Sequence, residues 1–318
     1  MVSRAGTAAN AARTPKSRQS RSYSRFRQYG QLYLLLLPAF IYVAIFCYGP
    51  MYGLQIAFKN YKMSLGIAGS PWIGMRNFKD FFGGYYFPTL MKNTFTLSLL
   101  SLVFSFPTPI LVALILNELK DRPKRVVQTV LYAPHFISTV ALVGMINVMF
   151  SPSMGIVNTL LKGLGMEPRY FLGDPNCFRP LYIGSGIWQE MGWNAIIYIA
   201  ALSGVDPSLH EAAELDGASR LQRVIHINLP CIMPTIIIML IMNLGSIATI
   251  SYEKVFLMQN DLNLGVSEII STYVYKRGLV NNNYSFATAV GLFNNLINVA
   301  MLLIANTVSS KVSETSLF

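Results

Sequence analysis

The chain has 318 residues, of which 53% are hydrophobic and only 12% charged, and its mean hydropathy is +0.44. Those charges are too few to cover a soluble surface, and 19 Phe with 17 Tyr exclude an intrinsically disordered chain, which leaves an integral membrane protein. The net charge of +11 is placed unevenly: residues 1–30 hold Arg4, Arg13, Lys16, Arg18, Arg21, Arg25 and Arg27 and no acid.

An acid-free basic tail suits a nucleic-acid arm, a mitochondrial presequence or the cytoplasmic flank of a membrane helix. The next segment decides. Tyr33 to Phe58 is too long for a signal-peptide core and has no small-residue cleavage site behind it, so it is predicted to be an uncleaved membrane helix with the tail, residues 1–30, inside. Apolar stretches long enough to span about 30 Å of hydrocarbon follow at 91–117, 126–150, 180–203, 231–258 and 285–308 after a first at 31–57. The fold class expected is an all-α, six-helix membrane domain over 31–310, with both termini, including residues 311–318, in the cytoplasm. Pro38, Pro50, Pro107, Pro109 and Pro234 interrupt the spans and predict kinks. Cys47, Cys177 and Cys231 form no disulfide or metal pattern.

Lys120, Arg122, Lys124 and Arg125 crowd the short turn after the second span, which agrees with a cytoplasmic N-terminus. The longer connections at 59–90, 151–179 and 259–284 are then external, and their Gly, Pro, Asn and aromatic residues predict short helices and caps. Between the fourth and fifth spans lies Asp206 to Pro230, DPSLHEAAELDGASRLQRVIHINLP. Asp206 as N-cap, Pro207 in the first turn and Ser208 three residues before Glu211 as a capping box predict a helix start. Leu209, Ala212, Ala213, Leu221, Val224 and Ile225 form an apolar stripe, which makes the helix over 206–220 amphipathic. By amphipathicity alone an interfacial helix lying flat on lipid is the favoured reading.

The spacing is more specific. Glu211-Ala212-Ala213, three residues, Gly217, nine residues, then Ile227-Asn228-Leu229-Pro230 resembles the EAA loop of the permease subunits of type I ABC importers. The resemblance implies that 206–220 is a coupling helix seated on a cytoplasmic ATPase, with Glu211, Ala212, Ala213, Gly217, Leu229 and Pro230 as its motif. It covers about residues 25–310. Tyr132 to Thr139 (YAPHFIST), the opening LLLLPAFIYVAIFCYGPMYGLQIAFKNYK and the late STYVYKRGL are similar to permeases for complex polysaccharides and their oligosaccharides. Many sugar permeases carry Gly-Gly-Pro after the fifth span, where this chain has Met258-Gln-Asn-Asp-Leu-Asn263. The resemblance further implies a second homologous permease subunit as a heterodimer mate, a cytoplasmic ABC ATPase dimer that binds ATP and Mg, an extracellular solute-binding protein and a bacterial plasma-membrane location.

No GxxxxGK[ST] occurs, so ATP is not bound here by a P-loop and no cofactor is expected in the chain. His210-Glu211-Ala212-Ala213-Glu214 lacks the second His of a zinc-protease motif, and no metal is expected. His135, after Pro134, reads as a structural histidine. An ion-coupled secondary carrier is the alternative, but it calls for several intramembrane charges and two related halves. No paired carboxylates or nucleophile with base favour an intramembrane enzyme. A sugar path needs hydrogen-bonding groups and aromatic plates. Helical spacing gathers Glu190, Trp193 and Asn194 on the fourth span, Asn243, Ser246 and Glu253 on the fifth, and Asn294 and Asn298 on the sixth.

Overall fold

A computed structural model describes residues 29–312. Residues 1–28 and 313–318 of the expected cytoplasmic tails lie outside the described residues. The chain divides into two compact units, Met1–Gln55 and Ile56–Phe318. In the first, α1 (Gly30–Val43) passes through a π-helical turn at Ala44–Tyr48 into a 3-10 segment, Gly49–Phe58. Pro50 explains the turn. Its nitrogen has no hydrogen and its ring crowds the carbonyl four residues back, so the ladder widens and the Gly49 N–H donates to Ala44 O. No residue of α1 is buried, and Leu34, Leu35 and Phe40 project outward. A helix apolar all round finds a matching solvent in lipid.

The second unit contains α2 (Arg76–Phe82), α3 (Phe87–Ser105), α4 (Pro107–Asn117), α5 (Asp121–Tyr132), α6 (Thr139–Met149), α7 (Ile156–Gly163), α8 (Pro175–Leu202), α9 (Pro207–Leu215), α10 (Arg220–Arg223), α11 (Leu229–Leu244), α12 (Tyr252–Met258), α13 (Ile270–Tyr275) and α14 (Tyr284–Val312). No strand occurs among the described residues beyond a single antiparallel bridge between Lys59 and Trp72.

Among the described residues, four segments are long and apolar enough to cross a membrane: Gly30–Phe58, Phe87–Asn117, Arg220–Leu244 and Tyr284–Lys311. The remaining expected spans take other forms. The stretch 126–150 is not one straight helix but Asp121–Phe136 and Thr139–Met149, bent by 96° at Ile137-Ser138. The stretch 180–203 falls within α8, whose 28 residues reach about 42 Å at 1.5 Å per residue. Arg179, Gln189, Glu190 and Asn194 make α8 less apolar than its neighbours. The expected 231–258 helix is corrected: it starts earlier, at Arg220, ends at Leu244, and is followed by a non-helical stretch, 245–251, before α12.

One helix organises the core. The N-terminal half of α8 gives Phe178 and Ile183 to a cluster with Leu97, Val143, Val255, Met258 and Ile269. Its C-terminal half gives Ala195, Tyr198 and Leu202 to a second cluster with Ile110, Ala113, Leu114 and Ile232. Gln189, Glu190 and Asn194 occupy the band between the two clusters. Gly192 lies in that band, where a Cβ would come within 2.1 Å of the Leu131 carbonyl oxygen at the end of α5. Gly184, on the same helix, has no atom within 4 Å of its Cβ position. Gly192→Ala is therefore expected to destabilise the protein by about 2 kcal/mol through overpacking against backbone. Gly184→Ala is expected to be neutral or stabilising by up to about 1 kcal/mol. Heating the reconstituted protein and following loss of the monodisperse species measures both; equal behaviour would mean that α8 does not sit this closely on α5.

Candidate functional site

The site is built around the break at 245–251. A broken helix leaves N–H and C=O groups without ladder partners, and side chains from two other helices take them up. Asn298 Oδ1 accepts the Ala248 N–H at 2.9 Å, while Asn294 Nδ2 donates to the Ala248 carbonyl at 3.1 Å. Ser98 Oγ donates to the Ile247 carbonyl, and Asn298 Nδ2 donates to Thr249 Oγ1 at 2.6 Å. Non-helical backbone is thereby held open among helices rather than collapsing back into the ladder.

The opened stretch forms one wall of a cavity of about 440 Å³. Ser246, Thr249 and Ser251 contribute from the break, Ser98, Ser101 and Ser105 from α3, Tyr182, Asn194 and Tyr198 from α8, and Asn243 from α11. No charged side chain lines it. Asn243 Nδ2 donates to Met239 O at 2.8 Å and Ser246 Oγ to Asn243 O at 3.1 Å, so these two are partly engaged by their own backbone. Asn194 has an exposed amide at the cavity wall. Hydroxyls, amides and the ring of the partly exposed Tyr182 can bind a ligand rich in hydroxyls and with apolar ring faces.

Of the path residues expected from sequence, the structure brings Asn194, Asn243 and Ser246 to this cavity. Asn294 and Asn298 secure the break behind it. Glu190 and Trp193 do something different: they grip the bend of the third span. Glu190 Oε2 lies 2.9 Å from His135 Nδ1, and Trp193 stacks on the His135 ring at 4.2 Å between centroids and 3° between planes. Next to them Gln189 Nε2 donates to Ile137 O at 2.8 Å. His135 is thus hydrogen-bonded and stacked, as a structural histidine is. Glu253 is exposed on α12 and is not among the cavity-lining residues. Sequence reasoning missed Ser98, Ser101 and Ser105, although their spacing of three and four puts them on one face of α3. It also missed Thr249 and Ser251, which no helical period can place because the chain there is not helical.

The loop before α11 is a second distinctive feature. Asp206 caps α9 by accepting the Ser208 N–H at 2.9 Å, and that bond holds its carboxyl below the usual range. The expected Ser208–Glu211 capping box is not formed; the box is at Ser219 and Gln222, where α10 starts. The expected single helix over 206–220 is likewise split in two. Gly217 turns the chain at φ 78°, with Ala218 N–H bonded to Ala213 O at 2.9 Å and Gly217 N–H to Glu214 O at 3.1 Å. This pair of bonds is a Schellman end, which needs a residue in the left-handed region and so favours glycine. An ion pair between Arg223 and Glu214 clips α10 to α9. Pro230 accounts for the π-turn at Val224–Asn228 as Pro50 does for its own, the Leu229 N–H reaching back to Val224 O. Leu229 packs on the core cluster around Ala195, Tyr198 and Ile232. By contrast no residue of α9 is buried, Glu211 and Ala212 are exposed, and Leu215 is 90% exposed.

Known proteins resemble the chain over nearly its whole length. The family model described as binding-protein-dependent transport system inner membrane component matches residues 105–314. Protein LplB of Bacillus subtilis strain 168 is 43% identical over 90% of this chain and 91% of its own. The polygalacturonan/rhamnogalacturonan transport system permease YteP of the same organism is 41% identical over 95% of both. A crystal structure of a bacterial ABC transporter involved in the import of the acidic polysaccharide alginate superposes with a TM-score of 0.85 at 41% identity, covering 92% of this chain and 99% of that one. The alternative of an ion-coupled carrier has no support in these relatives. The chain belongs to the family of binding-protein-dependent transport system inner membrane components and is a membrane-embedded permease subunit of an ABC importer, distinct from the subunit that hydrolyses ATP.

Proposed function

We propose that this chain forms one half of the translocation path of an importer for oligosaccharides derived from complex polysaccharides. The observation that carries the reading is the uncharged, hydroxyl- and amide-lined cavity at the broken fifth span. YteP and the alginate transporter, named for import of such polymers, support it. The other half is a similar but non-identical permease, the cytoplasmic face meets an ABC ATPase dimer that holds ATP and Mg, and an external solute-binding protein delivers the saccharide. The alginate transporter has been crystallised in complex with a pentasaccharide-bound periplasmic protein, which supports that last partner. Six crossings place both termini in the cytoplasm of a bacterium, counting the bent α5–α6 pair and α8 as spans. Transport is alternating access, and the cavity opens to one side of the membrane at a time.

In this reading α9 is the coupling helix. Its unburied surface, with small Ala212 and Ala213 beside Glu211 and the projecting Leu215, offers a close-fitting face to the ATPase. The capped start, the Gly217 turn and the Glu214–Arg223 clip make α9 and α10 a stiff lever, and Leu229 and Pro230 join it to α11. Asn194, Asn243 and Ser246 contact sugar hydroxyls. Glu190 and Trp193 position the bend through His135, and Asn294 and Asn298 hold the wall. Glu253 makes no contribution to the path that its placement supports.

Single-cysteine labelling in intact cells checks the topology. Cysteine at Gly217 is expected to resist an impermeant reagent, and cysteines at Gly74 and Asp174 to react; reversed accessibility would overturn the six-span arrangement. Glu211→Lys and Gly217→Val are expected to abolish uptake and binding-protein-stimulated ATP hydrolysis while the permease stays in the membrane, Gly217→Val because a β-branched residue resists positive φ. Normal uptake in both would remove α9 from coupling. Asn194→Ala is expected to lower uptake about tenfold with the assembled complex intact, the loss of one good hydrogen bond in the transport path. Asn298→Ala is expected to cost about 0.6 to 1.7 kcal/mol of stability, read as a lower melting temperature. If Asn298→Ala leaves stability unchanged, the break is held by something else.

A further inference from the structure

Lys254 is a buried cation packed behind the wall of this cavity, against the lining residue Tyr182. It lies in the first turn of α12, only 7% exposed, three residues after the cavity-lining Ser251. Its ammonium donates to the Tyr182 carbonyl at 3.0 Å and lies 4.8 Å from the centroid of the Tyr182 ring, and that tyrosine lines the cavity. The ammonium also comes within 3.3 Å of the Cβ position of Gly186, so it is pressed onto α8 one turn from Tyr182.

This cation is incompletely matched. An ammonium has three donors, and one carbonyl and one π-face engage it here. Among the described residues no carboxylate stands within ion-pair distance of it. Glu190, one turn further along α8, acts on it through space, but its Oε2 is bound to His135 at 2.9 Å. A buried charge is costly to retain, and in membrane proteins such charges pair with one another or with backbone carbonyls and mark substrate or ion pathways. The cavity lining carries no charge of either sign, so the field inside it is set by the charges behind the wall, that of Lys254 partly offset by Glu190.

We propose that Lys254 is the counter-charge for carboxylate-bearing sugar residues in the cavity, so that the imported oligosaccharide is anionic. This rests on the cavity being the path, as proposed above. A carboxylate approaching along the Tyr182 face gains the attraction of the ammonium and hydrogen bonds from the seryl hydroxyls around it. A neutral sugar keeps the hydroxyl contacts and gains nothing from Lys254.

The test uses the complete reconstituted transporter with its binding protein. The probes are the trisaccharides of galacturonate, mannuronate and glucuronate, each also as its neutral methyl ester. Uptake by Lys254→Gln and Lys254→Arg is expressed relative to wild type for each probe, so that the binding protein's own preference cancels. For an imported acid, Lys254→Gln is expected to raise KM about tenfold, the scale of one charge-assisted contact, with the ester changed less than about twofold and Lys254→Arg close to wild type. Equal losses for acid and ester would make Lys254 a structural residue and overturn the proposal. So would an unchanged Lys254→Gln, or a wild-type transporter that takes the esters and none of the acids. Asn194→Ala measured in parallel separates the two readings: if it leaves uptake of every probe intact, the cavity is not the path, whereas an Asn194→Ala defect with an inert Lys254→Gln removes only the charge assignment.

Discussion

Backbone N–H and C=O groups at membrane depth have no water to turn to, and an unpaired one costs several kcal/mol. A continuous helix solves this internally but leaves nothing with which to recognise a polar solute. In this protein the helix stops at Leu244, and Asn294, Asn298 and Ser98 take over as partners of the freed backbone groups at Ile247 and Ala248, with Asn298 also donating to the Thr249 hydroxyl. The side chains replace the ladder and the backbone stays open. A cavity lined by Ser246, Thr249 and Ser251 follows from that exchange. The same device recurs at a smaller scale where Asn93 Nδ2 donates to the carbonyls of Gly265 and Glu268, and where Thr94 Oγ1 accepts the Ile270 N–H.

Helix α8 makes the open break sustainable. Its two apolar ends are anchored in separate clusters, so its middle need not contribute to packing by burial alone and can carry Gln189, Glu190, Trp193 and Asn194. That polar band holds the bend of the third span on one side and faces the cavity on the other. Gly192 permits the approach by bringing α8 against the Leu131 carbonyl. The bend and the cavity wall are therefore tied through a single helix, which carries Glu190 and Trp193 to His135 and Asn194 to the cavity.

The segment from Asp206 to Pro230 shows local chemistry prevailing over the environment. Asp206, Gly217, Ser219 with Gln222, and Pro230 each end or begin an element through their own hydrogen bonds. Few tertiary contacts are needed to shape it, which is why α9 can stand unburied and yet be well formed. A helix shaped this way is available to a partner without first having to fold on it.

The sequence by itself determined the membrane class, three of the long apolar helices, the Asp206 cap, the glycine turn at 217 and the family resemblance in the loop. Each depends on composition or on residues close together in the chain. Only the tertiary structure decided that the fifth span is broken, that the third is bent, that the capping box belongs to Ser219, and that Glu190 and Trp193 grip His135. Asn294 and Asn298 look alike on a helical wheel whether they meet sugar or a stray carbonyl. The difference lies at Ala248, some fifty positions away in sequence. Lys254 is the same case: its sequence neighbours Glu253 and Val255 say only that it ends an apolar stretch, and its burial against Tyr182 and Gly186 is set by how α12 packs on α8. Hydropathy reports the average solvent of a segment, whereas the site is made of the exceptions, and exceptions are paired across the fold.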